Sequence, residues 1–221
     1  MNKCIIIANG ETPNKSIVNF FLSKGYNKIF AADGGFNTAI KLNIIPDYVI
    51  GDLDSADKNL LNEILNRDSG KLIVKKIKRQ NDTDLEKCLK FIIKMGFSET
   101  VILGAIGKRL DHTICNLGIL LKFSSQMNIS LVAENSFLKV YSGNVELKTI
   151  KDEIISVYAF DKKTLITSKG LKYPLKKSTL PFGEKESTSN VATSDKIFLQ
   201  IEGGKIFLIR DFSVIKKYGL I

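Results

Sequence analysis

The chain has a single histidine, His112, and only three cysteines. No apolar run approaches the ~20 residues that a membrane-spanning helix needs. That last absence removes a transmembrane helix from the reading. The N-terminal stretch Ile5-Ile6-Ile7-Ala8, followed by Asn9-Gly10, is too short for a signal-peptide core and fits a buried strand ending in a turn. With no targeting segment, the cytoplasm is the expected compartment. Cys4, Cys88 and Cys115 each sit among apolar neighbours, form no C-x-x-C pair and are odd in number. A disulfide framework and a zinc site are therefore disfavoured, and reduced, buried thiols are expected. Catalytic cysteine chemistry is disfavoured too, because His112 would be the only available partner. Also absent are a P-loop Gly-Lys-Ser/Thr, a G-x-G-x-x-G fingerprint, internal repeats and low-complexity tracts.

What is present is a chain of 221 residues, 44% hydrophobic and 25% charged, long enough for one large or two small domains. The net charge is +10, but its lysine clusters lack arginine and interleaved aromatics. Even Lys75-Lys76-Ile77-Lys78-Arg79 is short. The surplus reads as lysines on solvated faces, and no nucleic-acid partner is expected.

Hydrophobic periodicity divides the chain. Up to about residue 123, short β-branched runs (Lys3–Ala8, Lys28–Ala32, Tyr48–Ile50, Leu72–Ile77, Thr100–Leu103) alternate with helical patterns. The helical patterns cover Ser16–Ser23, Gly35–Leu42, Lys58–Asn66, Asp84–Met95 and Thr113–Phe123. In the fourth, Leu85, Cys88, Leu89, Ile92 and Ile93 fall on one stripe, and Thr83 with Glu86 reads as a capping box. Alternation of this kind predicts a Rossmann-like α/β domain over residues 1–125, with a mostly parallel sheet that binds ligands at the carboxyl ends of its strands. Beyond residue 128 strand patterns dominate: Ile129–Ala133, Phe137–Tyr141, Asn144–Leu147, Glu153–Phe160, Thr164–Thr167, Lys196–Ile201 and Lys205–Arg210. Ser142-Gly143-Asn144 and Gly203-Gly204 read as hairpin turns, and residues 176–194 as a polar loop. An all-β sandwich over residues 128–221 is expected.

Acids recur where the parallel strands should end. Lys28–Ala32 runs into Asp33-Gly34-Gly35, and Tyr48–Ile50 into Gly51-Asp52-Leu53-Asp54-Ser55. The next crossover delivers Asp82-Thr83-Asp84 at a helix start. In an extended segment Asp52 and Asp54 point the same way and converge. Each acid alone has an ordinary structural explanation as a turn or helix-start residue. Their recurrence at one sheet edge points instead to a cation, and hard carboxylate oxygens beside substrate phosphates suit Mg²⁺. The fifth strand leads into Gly104-Ala105-Ile106-Gly107-Lys108-Arg109-Leu110-Asp111-His112, where glycines admit phosphate to the backbone and an arginine fork matches its oxygens.

Six segments in register carry a resemblance to a known family: Ala32-Asp33-Gly34-Gly35, Pro46 to Ser55, Thr83-Asp84-Leu85-Glu86, Arg109-Leu110-Asp111-His112, Gly170 to Leu175, and Ser189-Asn190. Together they resemble the thiamine pyrophosphokinases over nearly the whole chain. The resemblance implies an α/β half binding Mg-ATP, a β-sandwich helping to hold thiamine, and a homodimer with shared active sites. It implies attack of the thiamine hydroxyl on the β-phosphorus of ATP, with AMP leaving. It further implies Asp52, Asp54 and Asp84 as magnesium ligands and Asp33 as a further acid near the reacting groups and ATP. Arg109, Asp111 and His112 fall on the ATP side, and Gln80, Ser189 and Asn190 on the thiamine side. Two positions depart from the pattern: Gln80-Asn81 stands where many bacterial relatives carry Lys-Asp, and Gly107-Lys108 replaces a glycine pair. The carboxylates alone leave open another Mg²⁺-dependent pyrophosphokinase or nucleotidyltransferase. A binding sensor that lost catalysis is disfavoured by the intact acids.

Overall fold

The structure, a computed structural model, describes residues 2–67, 71–78 and 81–221. The chain forms two compact units, Met1–Glu134 and Asn135–Ile221. The first is built on β1 (Lys3–Ile7), β2 (Tyr26–Ala32), β3 (Tyr48–Gly51), β4 (Ile73–Lys76), β5 (Glu99–Leu103) and β6 (Asn128–Ala133). Every pairing among these strands is parallel, in the order β6-β5-β1-β2-β3-β4. The crossovers carry α1 (Lys15–Ser23), α2 (Gly35–Lys41), α3 (Lys58–Arg67), α4 (Asp84–Lys94) and α5 (Leu110–Phe123). Central strands buried on both faces read as continuous apolar runs, and Ile5, Ile6 and Ile7 are fully buried. Among the described residues no helix is long and apolar enough to cross a membrane.

The Ile129–Ala133 run, expected with the β-rich half, is the sixth parallel strand and pairs with β5 from Thr100↔Ile129 to Leu103↔Val132. A buried run of this kind looks the same in either sheet type, so its sequence could not choose. α5 starts three residues earlier than its apolar periodicity indicates, with Arg109 as the extended N-cap residue. In α4, Thr83 Oγ1 accepts the Glu86 N–H at 3.3 Å, as expected of a capping box. The Glu86 carboxylate instead turns to Lys90 (2.7 Å) and Lys122 (2.6 Å). Phe91 of α4 packs against Phe30 and Tyr48, with ring centroids 6.4 and 5.9 Å away. This anchors α4 on β2 and β3, so that its N-terminal Asp84 lies over their ends.

The second unit contains β7 (Ser136–Lys148), β8 (Ile154–Tyr158), β9 (Leu165–Lys169), β10 (Ser187–Val191), β11 (Lys196–Asp211) and α6 (Phe212–Tyr218). Its pairings are antiparallel, in the order β10-β8-β11-β7 with β9 also on β11. Neither expected hairpin exists. β7 and β11 run straight through them, and the register between the two strands shifts between Ile201 and Ile206. The glycines serve a bulge and a close approach, not a turn: Gly143 and Gly203 have φ of +71° and +76°, and a Cβ on Gly203 would lie 2.5 Å from the Lys163 carbonyl oxygen. Beyond the shift β11 changes partner, from β9 at Phe198–Glu202 to β8 at Phe207–Arg210. The expected polar loop contains β10, whose residues Ser187, Asn190 and Val191 pair with β8. α6 was not foreseen; Asp211 caps it by accepting the Ser213 N–H at 2.7 Å, and Gly219 closes it in the left-handed region.

Candidate active site

The strand order reverses at β1, whose neighbours are β2 on one side and β5 on the other. At this switch point the loops after β1, β2 and β5 line a cleft at the carboxyl edge, where open α/β sheets bind ligands. The loops after β1 and β5 are stitched together by Ala8 N–H to the Leu103 carbonyl (2.9 Å) and Glu11 N–H to the Ile106 carbonyl (2.8 Å). They approach so closely that a Cβ on Gly10 would lie 2.3 Å from the Gly104 carbonyl oxygen. The cleft has a volume of about 310 Å³, and its wall includes Asn9, Asp33, Asp84, Arg109, His112 and Asn116.

Asp33 follows the last residue of β2, at φ +44°, with its N–H bonded to the Ile50 carbonyl at 2.8 Å. It is 3% exposed; its Oδ2 accepts the Ser55 N–H at 3.2 Å, while its Oδ1 is buried without a partner among the described residues. Burial, reinforced by the charge of Asp84, pushes its carboxyl up to about 6, against the opposing pull of the Ser55 N–H. A Cβ on Gly51 would meet the Asp33 Cβ at 2.8 Å and Asp84 Oδ1 at 3.0 Å, so only glycine at this position lets the two acids come together. Asp52 and Asp54 converge, but not through an extended segment. Leu53 is left-handed (φ +66°), and the Asp54 N–H reaches Asp52 Oδ1 at 3.4 Å, so a turn brings the side chains round. Asn37 of α2 holds this loop, donating to the Ser55 carbonyl at 2.9 Å and accepting the Asp57 N–H at 2.8 Å.

One oxygen from each of Asp33, Asp52 and Asp54 lies within 4.8 Å of the others. Asp84 stands beside Asp33 but gives Oδ1 to Lys87, which also binds Asp52 Oδ2, at 2.9 and 3.0 Å. The Lys87 ammonium holds Asp52 below the usual carboxylate range. Burial works against the charge on Lys87, yet its bonds to Asp84 and Asp52 prevail and its pKa is raised. Sequence periodicity missed Lys87, because only the apolar stripe of α4 was read as inward-facing. Its spacing of three from Asp84 was the available signal. The donor set of hard oxygens, with one buried carboxylate oxygen unpartnered, fits a divalent ion of the magnesium type.

Arg109 and Asp111 form a bidentate pair on the first turn of α5, 66% and 64% exposed. The Arg109 hydrogen bonds pull the Asp111 carboxyl down to about 2. Arg109 and His112 reach the cleft wall, as does Lys108, whose Nζ donates to the Asn9 carbonyl at 3.0 Å. Asn116, also missed, is buried and donates to the Ala105 carbonyl at 2.7 Å, fixing the loop after β5. Gln80 lies outside the described residues.

In the second unit, the segment expected to contact thiamine divides into two roles. Ser189 is exposed, at φ +55°, with its N–H bonded to Ser156 Oγ at 3.0 Å. Asn190 is 1% exposed, and its carboxamide is engaged by its own chain. It accepts the Tyr173 N–H (3.1 Å) and donates to the Tyr173 carbonyl (2.7 Å) and Ser187 Oγ (3.1 Å).

A parallel sheet with carboxylates and a glycine-lined cleft at its switch point defines a class, the α/β enzymes that handle phosphorylated ligands with a divalent cation. Comparison with known proteins narrows this to one family. Residues 22–133 match the family model of the thiamin pyrophosphokinase catalytic domain, and residues 144–206 that of the thiamin pyrophosphokinase vitamin B1 binding domain. Thiamin pyrophosphokinase 1 of Caenorhabditis elegans is 32% identical over 196 residues, 81% of this chain and 77% of that protein. Thiamine pyrophosphokinase 1 of Arabidopsis thaliana is 28% identical over 82% of this chain and 70% of its own length. Among solved structures, the thiamine pyrophosphokinase of Bacillus subtilis matches with a TM-score of 0.79 at 22% identity, covering 95% of this chain and 99% of that one. The Candida albicans enzyme matches at 0.82 and 16% identity, over 95% and 89%. The chain belongs to the thiamine pyrophosphokinase family.

Proposed function

We propose that the switch-point cleft carries out the reaction of this family: the chain transfers the pyrophosphoryl group of ATP to the hydroxyl of thiamine, giving thiamine pyrophosphate and AMP. The observation that carries this reading is the carboxylate group at the cleft, Asp33, Asp52 and Asp54 with oxygens within 4.8 Å and Asp84 beside them. Transfer of this kind depends on alignment and on neutralising charge at the phosphate oxygens. The resemblance implies Asp52, Asp54 and Asp84 for magnesium, and the approach of Asp33 to Asp52 and Asp54 supports Asp33 as a further ligand. When bound, the ion supplies positive charge to the phosphates. Around it, the chain's own residues position and bind. The backbone of Gly104 to Gly107 admits the phosphates, and Arg109, freed from Asp111, reaches their oxygens, with Asp111 and His112 on the same side. Asp33 or a neighbouring acid of the group accepts the hydroxyl proton of thiamine. Ser189 offers its hydroxyl to the thiamine pyrimidine, Asn190 shapes the segment that presents it, and Gln80 completes the thiamine side.

This reading takes the first unit as a Rossmann-like ATP- and magnesium-binding domain and the second as a β-sandwich for thiamine. It takes the working form as a cytoplasmic homodimer with shared active sites. The test is AMP release in the presence of ATP and Mg²⁺, with and without thiamine. AMP and thiamine pyrophosphate formed in equal amounts, only when thiamine is added, is the expected result; ATP turnover that ignores thiamine overturns it.

A further inference from the structure

Lys87 is 3% exposed on the inner side of α4, yet it is charged, and both its described partners belong to the acidic group. Its ammonium donates to Asp84 Oδ1 at 2.9 Å and to Asp52 Oδ2 at 3.0 Å. On the other side of Asp52, its Oδ1 takes the Asp54 N–H, and Asp33, Asp52 and Asp54 each supply an oxygen to one shared space. Asp33, which supplies one oxygen to this group, is 3% exposed and keeps its Oδ1 buried with no partner among the described residues, the independent sign that something positive completes the group. Asp52 is therefore shared between two positive positions, one filled by Lys87 and the other bounded by Asp33 and Asp54. A bridging carboxylate between two ions ~3.5–4 Å apart is the usual plan of a two-metal phosphotransfer centre. Four carboxylates are also more than one magnesium-type ion normally takes from protein, since it keeps waters and substrate phosphates as ligands.

We propose that Lys87 stands in the place of a second divalent cation, making the centre one divalent ion plus a fixed lysine. The inference rests on the reading of Asp33, Asp52 and Asp54 as a metal site. Lys87 then acts as a positioning residue: it keeps Asp84 aligned with Asp52, neutralises the charge the single ion leaves over, and bars a second ion. A lysine that merely fastened α4 to the loop after β3 would change stability when removed, but not the number of ions bound.

The experiment counts ions on the full chain without nucleotide, titrating Mn²⁺ and following the free ion by electron paramagnetic resonance. Wild type, Lys87→Met and Lys87→Gln are compared, each with a thermal melt to show that it is folded. The expected result is one tightly bound Mn²⁺ per chain in wild type and two in the neutral variants. If Lys87→Met does not fold, Lys87→Gln, whose amide still bonds one carboxylate, carries the count. A folded neutral variant that still binds one ion overturns the inference and leaves the metal site standing. Two ions in wild type also overturn it. No bound ion in wild type removes the metal site itself and the inference with it.

Discussion

Replacing Asn190 by alanine separates holding the thiamine segment from touching thiamine. The side chain is 1% exposed and makes four hydrogen bonds to its own chain, two to the Tyr173 backbone, one to Ser187 Oγ and one from the neighbouring Val191 N–H. A neutral hydrogen bond contributes a net ~1 kcal/mol, and groups left buried and unpaired cost more, so Asn190→Ala should destabilise by about 3 kcal/mol. For a chain of this size that lowers Tm by roughly 6–12 °C. Ser189 is exposed, and Ser189→Ala should leave stability within about 0.5 kcal/mol. Both variants should raise the KM for thiamine several-fold while the KM for ATP barely moves: Ser189→Ala through a lost contact, Asn190→Ala through a displaced segment. Thermal melts and two-substrate steady-state kinetics on the same preparations give all four quantities. An Asn190→Ala protein that melts with wild type yet binds thiamine poorly would refute the reasoning, because the carboxamide would then serve the ligand and not the loop. A rise in both KM values would refute the thiamine assignment of the whole segment.

Three other outcomes are expected. Asp52→Asn and Asp54→Asn should nearly abolish turnover with little change in Tm, since both side chains lie on a partly exposed loop and Lys87 keeps Asp84; near-normal kcat at saturating Mg²⁺ in both variants would contradict the metal assignment. Arg210 and Glu153 form a bidentate pair at 2% and 0% side-chain exposure, so Arg210→Met should cost about 3–5 kcal/mol in equilibrium denaturation by leaving Glu153 buried alone. A loss below about 1 kcal/mol would show that Glu153 is satisfied otherwise. Burial pushes the Cys4 thiol up to about 12 and Cys88 well above its ordinary value, whereas Cys115 is exposed. A thiol reagent at pH 8 should therefore label one cysteine in the native protein and three after unfolding, as mass spectrometry will show.

The sequence was most informative where local chemistry and the fold demand the same residue. The strand-then-acid pattern at Asp33 and at Asp52 is legible because strands β2 and β3 end there and Gly51 must be small for Asp33 and Asp84 to meet. Lys87 was not legible: a lysine beside an apolar stripe looks solvated until the helix is docked and Asp52 and Asp84 are found to enclose it. Gly143 and Gly203 misled because a left-handed glycine serves a hairpin turn and a bulge equally well, and only the pairing of β7 with β11 distinguishes them. Likewise Ser187 to Val191 is too polar to announce a strand. Its pairing with β8 and the turning of Asn190 onto Tyr173 are tertiary facts.

The central claim is that the cleft at the carboxyl ends of β1, β2 and β5 moves two phosphoryl units of ATP together. Phosphorus magnetic resonance of a mixture of the protein, ATP, Mg²⁺ and thiamine tests it most directly. The account predicts that the β and γ signals of ATP disappear together, replaced in equal amounts by the coupled pair of thiamine pyrophosphate and by AMP, with neither ADP nor thiamine monophosphate as an earlier product. ADP or inorganic phosphate appearing first would contradict it.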